Sequence, residues 1–209
     1  MIQGIKHIIF DLGGVLLNID YNLTEQAFIK LGITRFKEIY SQLTQSSLFD
    51  DLETGKISTE KFVSTLQQYS EINLTQEEII TAWNAMLIDM PIRRLQLLQQ
   101  LRLHYDLILL SNTNEIHEAA FTKIIKETHG QLLPAFFDKI YYSHRVGLRK
   151  PSTEIFERVL EENRFIAEHT LFIDDSPQHI EAAKTVGIKT ILLEKGMSIE
   201  KDIFKPKVL

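Results

Sequence analysis

Ile8-Ile9-Phe10-Asp11-Leu12-Gly13-Gly14-Val15-Leu16 is an apolar run that meets one carboxylate and then a glycine pair. A short apolar run bounded by glycine reads as a buried strand with an exposed end. In open α/β sheets, ligands bind outside the carboxyl ends of the strands. Asp11 is therefore predicted at the edge where chemistry takes place. The glycines permit a sharp turn and let a ligand approach the backbone closely. An Asp after a strand also serves as a turn or cap residue, and this stretch alone does not choose between the roles.

Three later segments bear on that choice. Leu107-Ile108-Leu109-Leu110-Ser111-Asn112-Thr113-Asn114 is a second apolar run ending in small polar residues. Arg149-Lys150-Pro151 precedes a helical pattern, and Leu171-Phe172-Ile173-Asp174-Asp175 is a third apolar run, ending in adjacent carboxylates. In the order Asp, Ser, Lys-Pro, Asp-Asp, these segments resemble the four signature motifs of the haloacid dehalogenase-like (HAD) hydrolase superfamily. Asn18-Ile19-Asp20-Tyr21-Asn22, the Glu53-x-Gly55-x-Ile57-Ser58 turn, Trp83 and the Ser111–Asn114 quartet are similar to the branch containing bacterial sugar-1-phosphate phosphatases. The resemblance spans nearly the whole chain and rests on the ordered set.

Composition narrows the classes. At 209 residues, 44% hydrophobic and 24% charged, the chain is long enough for one well-buried domain, or one with a large insertion. A net charge of −5 offers no electrostatic footprint for nucleic acid, and no basic run marks a membrane surface. There is no cysteine, so disulfides and thiolate chemistry are excluded. No signal-peptide pattern precedes the first strand, and no apolar stretch approaches the ~20 residues of a membrane span. A cytoplasmic protein, monomeric or weakly dimeric, is expected.

Beyond Leu17 the pattern is helical to about Leu101. Asn22-Leu23-Thr24-Glu25 opens a helix with Ala27, Phe28 and Leu31 on one face. Ser58 caps another, carrying Phe62, Leu66 and Tyr69 at helical spacing. Thr75 and Glu78 form a capping box leading into Ile79, Ile80, Trp83 and Leu87. Pro91 stands where a helix starts, ahead of Leu95, Leu98 and Leu101. From Asp106 strands alternate with helices: strands end near Ser111, Tyr142, Asp174 and Leu193, and helices lie near 115–127, 153–162 and 178–186. Alternation of this kind means a parallel sheet with helices on both faces. The expected fold is α/β, a doubly wound parallel sheet interrupted by an α-helical cap. The core comprises residues 1–17 and 93–209 and the cap residues 18–92, an arrangement the resemblance also implies.

An Asp carboxylate is a competent nucleophile on phosphorus. Its approach to a phosphate dianion requires charge neutralisation, which a hard divalent cation with oxygen ligands provides. Asp11, Asp174 and Asp175 in one pocket would repel one another without a cation, so the cluster itself points to metal. Acidic residues ahead of Pro177 also suit a helix N-terminus. Ser111 and Asn112 can bind phosphate oxygens, Asn112 or Asn114 can cap the following helix, and Lys150 can hold nucleophile and phosphoryl oxygens together. Arg145 and Arg149 add positive charge in the same loop. His144 is the only histidine near the motifs and reads as structural.

The resemblance implies Asp11 as nucleophile, Ser111 and Lys150 as the phosphate-binding pair, and Asp174 and Asp175 as the acidic Mg2+ pair. It also implies a small phosphorylated metabolite as substrate, a sugar 1-phosphate among the candidates. There is one departure. Most phosphatases of the superfamily carry a second Asp two residues after the nucleophile, acting as general acid and then base; here that residue is Gly13. Its carbonyl can still coordinate magnesium, as the family's second position does, but it cannot move a proton. General acid–base help is worth ~10²–10⁴-fold. Good leaving groups are therefore expected to react fastest unless a cap residue or the substrate supplies the proton. Members of the sugar-1-phosphate branch share this glycine. Tyr21, Glu53 and Lys56 are candidates for substrate selection. Two other readings stand: a metal-independent dehalogenase, which the Asp174–Asp175 pair disfavours, and a non-catalytic phosphometabolite-binding regulator.

Overall fold

The computed structural model describes residues 2–45 and 47–204. In chain order the elements are β1 (His7–Phe10), β2 (Asn18–Ile19), α1 (Tyr21–Lys30), α2 (Phe36–Gln45), α3 (Leu48–Glu53), α4 (Thr59–Gln67), α5 (Gln76–Asn84) and β3 (Leu87–Asp89). There follow α6 (Ile92–Leu101), β4 (Asp106–Ser111), α7 (Glu115–His129), β5 (Lys139–Tyr142), α8 (Ser143–Val146), α9 (Thr153–Asn163), β6 (Thr170–Asp174), α10 (Pro177–Thr185) and β7 (Lys189–Leu192).

The strands that sequence reading marks as apolar runs are buried on both faces, as a parallel sheet covered by helices requires. Ile8 and Phe10 of β1, Leu107 and Leu109 of β4, and Leu171 and Ile173 of β6 enter one core, shared with Leu95 and Leu98 of α6 and Phe121 of α7. Their neighbours Ile9, Ile108, Leu110 and Phe172 point the other way, against Phe156 and Val159 of α9 and Ile180 of α10. This alternation is the strand's two-residue period expressed on two buried faces. Both layers of the doubly wound fold are thus present.

Strand order is β5-β4-β1-β6-β7, with every pairing in this sheet parallel. The chain runs outward from β1 through β4 to β5, then returns to β6 on β1's other side. The order reverses at β1, and such a switch point opens the crevice where ligands bind. Phe10 is level with Leu109 and Ile173, so Asp11, Ser111 and Asp174 reach the same edge.

Helices α1–α5 bury a core of their own, built from Phe28, Phe36, Phe49, Phe62, Leu66 and Trp83 and joined by Ile116 of α7. The local signals are in place. Ser58 accepts from Lys61 N, and Thr75 and Glu78 form the capping box. Three readings change. The first helix begins at Tyr21 rather than Asn22, because Asp20 caps it by accepting from Asn22 N at 2.9 Å. Tyr69 lies beyond the end of α4 and is 38% exposed, outside that helix's buried stripe. The helical pattern is also interrupted. Leu87 does not extend α5 but opens β3, which pairs antiparallel with β2. Met86 explains the break: its N–H donates to Thr24 Oγ1 at 3.1 Å, and its carbonyl accepts from Asp20 N at 2.9 Å. Those bonds use the backbone groups that a longer helix would need.

His117 of α7 joins the two cores. Its ring stacks on Trp83 with centroids 5.1 Å apart, and Nε2 donates to the Trp83 carbonyl at 3.3 Å. Asn114 Oδ1 accepts from His117 N, so the Asn114 amide nitrogen faces Nδ1, at 3.2 Å, and Nδ1 must accept. The ring is therefore neutral. Burial holds it down to about 4 from 6.5, against the pull of the Trp83 carbonyl. Between those values the unfolded chain binds a proton that the folded chain refuses. This contribution is therefore full above pH 6.5 and lost as pH falls towards 4, by up to ~3 kcal/mol. His117→Phe, which keeps the stack but cannot titrate, should show a smaller drop in Tm between pH 6.5 and 4.5 than the native chain. Equal drops would show that His117 does not couple stability to pH.

Candidate active site

Each expected residue sits at the same sheet edge for an identifiable reason. Asp11 follows β1 and donates its N–H to the Ile173 carbonyl at 3.0 Å, which continues the ladder one residue past the strand. Beyond it the chain folds back tightly: Leu12 O accepts from Leu16 N and Leu17 N, and Gly14 N donates to Leu17 O, at 2.8–2.9 Å. Gly14 has φ +75°, and a Cβ there would lie 2.2 Å from Asp175 Oδ2. Glycine is needed for both backbone conformation and clearance. Gly13 has no such φ, and a Cβ there would meet the tip of Ile19 at 3.1 Å.

Lys150 occupies the centre. It is fully buried, and its Nζ donates to Asp11 Oδ1 at 2.6 Å and to Asp174 Oδ2 at 2.7 Å. Its third proton has no acceptor among the described residues, so it is available to an entering anion. Asn112 fixes this loop: its Nδ2 donates to the Lys150 carbonyl at 2.8 Å and its Oδ1 accepts from Lys150 N at 2.9 Å. The Asn112 side chain is thus occupied, leaving its backbone as what it can offer phosphate. Ser111 is buried and donates only a long 3.4 Å contact to Asn112 O, so its hydroxyl can turn to an anion. Asn114 caps α7.

The carboxylates differ in environment. Burial pushes Asp11 up to about 7 despite Lys150, with Asp174 and Asp175 adding to the rise. Burial would raise Asp174 too, but Lys150 and His179 hold it at about 2. Asp175 is raised, by burial and by Asp174. Ligand atoms from Asp11, Asp174 and Asp175 lie within 4.8 Å of one another. This all-oxygen donor set fits a hard divalent cation such as magnesium.

Above the edge is a cavity of about 270 Å³, floored by Asp11, Gly13, Ser111 and Asp175 and walled by Tyr21, Tyr40, Phe49, Glu53, Trp83 and Met86. Of the selection candidates, Tyr21 and Glu53 line it. Lys56 does not: it faces a separate cleft of about 440 Å³ with Glu115, Glu118, His144 and Arg145, and approaches Asp51 at 3.9 Å. Arg145 and His144 both pair with Glu118, so neither supports the carboxylate cluster. Arg149 pairs instead with Asp50 and Glu53 of α3.

His144 is not the only histidine near the motifs. His179, on the first turn of α10, faces both oxygens of Asp174 with Nδ1 at 3.0 Å, and His117 lines the cavity. The signal for His179 is positional: Asp174 ends β6, Pro177 starts α10, and a residue on that first turn can reach back.

Residues 5–187 match the model of the haloacid dehalogenase-like hydrolases. The chain is 35% identical to D-ribitol-5-phosphate phosphatase from Bacteroides thetaiotaomicron, over 92% of this chain and 93% of that protein. A HAD family enzyme of the same organism, crystallised with magnesium and inorganic phosphate, superposes with a TM-score of 0.85 at 34% identity, covering 92% of this chain and 96% of that one. A HAD-like hydrolase from Porphyromonas gingivalis gives 0.81 at 33% identity, covering 92% of each. With the ordered motifs gathered at one sheet edge, the match shows that this chain belongs to the haloacid dehalogenase-like hydrolases.

Proposed function

We propose that the protein is a magnesium-dependent phosphatase of small phosphorylated polyhydroxy metabolites, acting in the cytoplasm through an aspartyl-phosphate on Asp11. The observation that carries this reading is the convergence of Asp11, Asp174 and Asp175 around buried Lys150, beneath a cavity of metabolite size. The relative named for D-ribitol 5-phosphate favours an open-chain polyol phosphate beside the sugar 1-phosphates. Residues 18–92 act as the cap that walls the cavity, on a core of residues 1–17 and 93–209.

Asp11, Asp174, Asp175 and the Gly13 carbonyl would hold the magnesium ion. Bound there, magnesium offsets repulsion between anionic nucleophile and phosphate. The chain's own groups do the rest. Lys150 orients Asp11 through Oδ1 and offers its remaining proton to a phosphoryl oxygen. Ser111 and the Asn112 backbone hold further oxygens. Asp11 attacks phosphorus, the ester bond breaks, and water then releases phosphate and restores the carboxylate.

A phosphate-release screen over sugar and polyol phosphates, with magnesium or EDTA, tests the reading. Turnover should require magnesium; phosphate release that survives chelation would overturn the metal-dependent mechanism. Asp11→Asn, nearly isosteric but not nucleophilic, should retain less than about 1% of wild-type release and still fold. A higher residue of activity would remove Asp11 from that role. Magnesium should raise Tm by mass action, and Asp175→Ala should abolish most of the rise. A wild-type Tm indifferent to magnesium would count against the site. Gly14→Ala should disable the same response, since its methyl group must displace the Asp175 carboxylate. A variant with normal magnesium dependence would show that the turn has room to spare.

A further inference from the structure

Gly13 leaves the leaving-group oxygen without the usual proton donor, yet a primary alkoxide is too basic to depart unaided. Within the cavity, one wall residue has the properties of the missing acid. Glu53 ends α3, and its Oε2 is buried with no hydrogen-bond partner among the described residues. Arg149 Nη2 comes within 3.1 Å of that oxygen without hydrogen-bond alignment, and the same guanidinium is shared with Asp50. Position adds a second influence: a carboxylate on the last turn of a helix faces the negative end of its dipole, which favours the neutral acid.

We propose that Glu53 is the general acid–base of this enzyme, delivered by the cap to the leaving-group oxygen that Gly13 cannot serve. The assignment rests on the phosphatase reading given above. As Asp11 attacks phosphorus, the P–O(alkyl) bond breaks and its electron pair goes to the departing oxygen. That oxygen takes the proton from Glu53, giving alcohol, aspartyl-phosphate and the Glu53 carboxylate. The carboxylate then removes a proton from water as the water oxygen attacks phosphorus. The P–O bond to Asp11 breaks, and inorganic phosphate, the Asp11 carboxylate and protonated Glu53 are restored.

The charged and titratable groups facing Glu53 are Arg149 and Lys150 from the α8–α9 loop, Asp11 after β1, Tyr21 of α1, Tyr40 of α2 and Asp50 on α3 itself. Burial raises Glu53 against the pull of Lys150, and Asp11 adds to the rise, to about 7. A group in that range can both give and take a proton near neutrality.

The test compares kcat/KM, which reports the phosphorylation half-reaction, for hydroxyl-free propyl phosphate and for 4-nitrophenyl phosphate, in the magnesium-loaded wild type and in Glu53→Gln. Propyl phosphate needs protonation at the departing oxygen; 4-nitrophenolate does not. Glu53→Gln should lose ~10²–10⁴-fold on propyl phosphate and less than about 3-fold on 4-nitrophenyl phosphate. Retained aryl turnover also shows that the variant is folded. A second readout needs no variant: the wild-type ratio of alkyl to aryl kcat/KM should fall as pH rises through neutrality, because the acid is then deprotonated. Equal losses on both esters, no loss on either, or a pH-independent ratio would overturn the assignment. A loss confined to polyol phosphates and absent with propyl phosphate would make Glu53 a hydroxyl-recognition residue instead, which also overturns it. If the wild type releases no phosphate from either ester, the phosphatase reading itself fails.

Discussion

A lysine with no access to water, bonded to two carboxylates from different strands, is the constraint on which the rest of the site depends. Lys150 can remain charged in the interior only because Asp11 and Asp174 surround it. Removing either partner leaves the buried ammonium with only one carboxylate to offset its charge. The arrangement therefore ties the carboxyl ends of β1 and β6 together beyond the ladder that pairs them. It also accounts for the use of Asn112: a side chain from the end of β4 grips the Lys150 backbone on both sides. Three parts of the chain are thus joined through one lysine, two by its ammonium group and one by its backbone.

Much of this is legible in the sequence alone. A parallel sheet buried on both faces demands apolar strands, so β1, β4 and β6 stand out as runs such as Leu107–Leu110. Caps are similarly local, and Thr75 with Glu78 needs no tertiary information. What escaped reading has the opposite character. β2 and β3 are too short to show a period, and they exist because Asp20, Thr24 and Met86 bond across the chain. Glu53 and Lys56 look alike as polar residues of one turn, but only Glu53 faces the cavity. His117 reads as one more helical polar residue until Trp83 is found stacked upon it.

The helical layer and the sheet meet through few but specific contacts. Stacking runs from Phe49 to Trp83 at 5.4 Å and on to His117 at 5.1 Å, carrying an aromatic column from α3 to α7. Arg149 makes the polar counterpart, reaching Asp50 and Glu53. Both ends of α3 environment are thus referred to the core, which gives the cavity wall a defined position relative to Asp11 instead of leaving it to the loops.

The adjacent glycines after Asp11 are alike in letter and opposite in kind. Gly14 is held by its φ of +75° and by the Asp175 carboxylate beside it, so any side chain there is strained and must displace that carboxylate. Gly13 needs only that the tip of Ile19 yield a few tenths of an ångström. Two of the four glycine codons become aspartate codons by a change of the middle base alone. The backbone at position 13 would thus admit a β-carbon after one such change. A β-carbon at this position is not excluded by packing. Two neighbouring glycines of one turn therefore differ in how freely mutation can sample them.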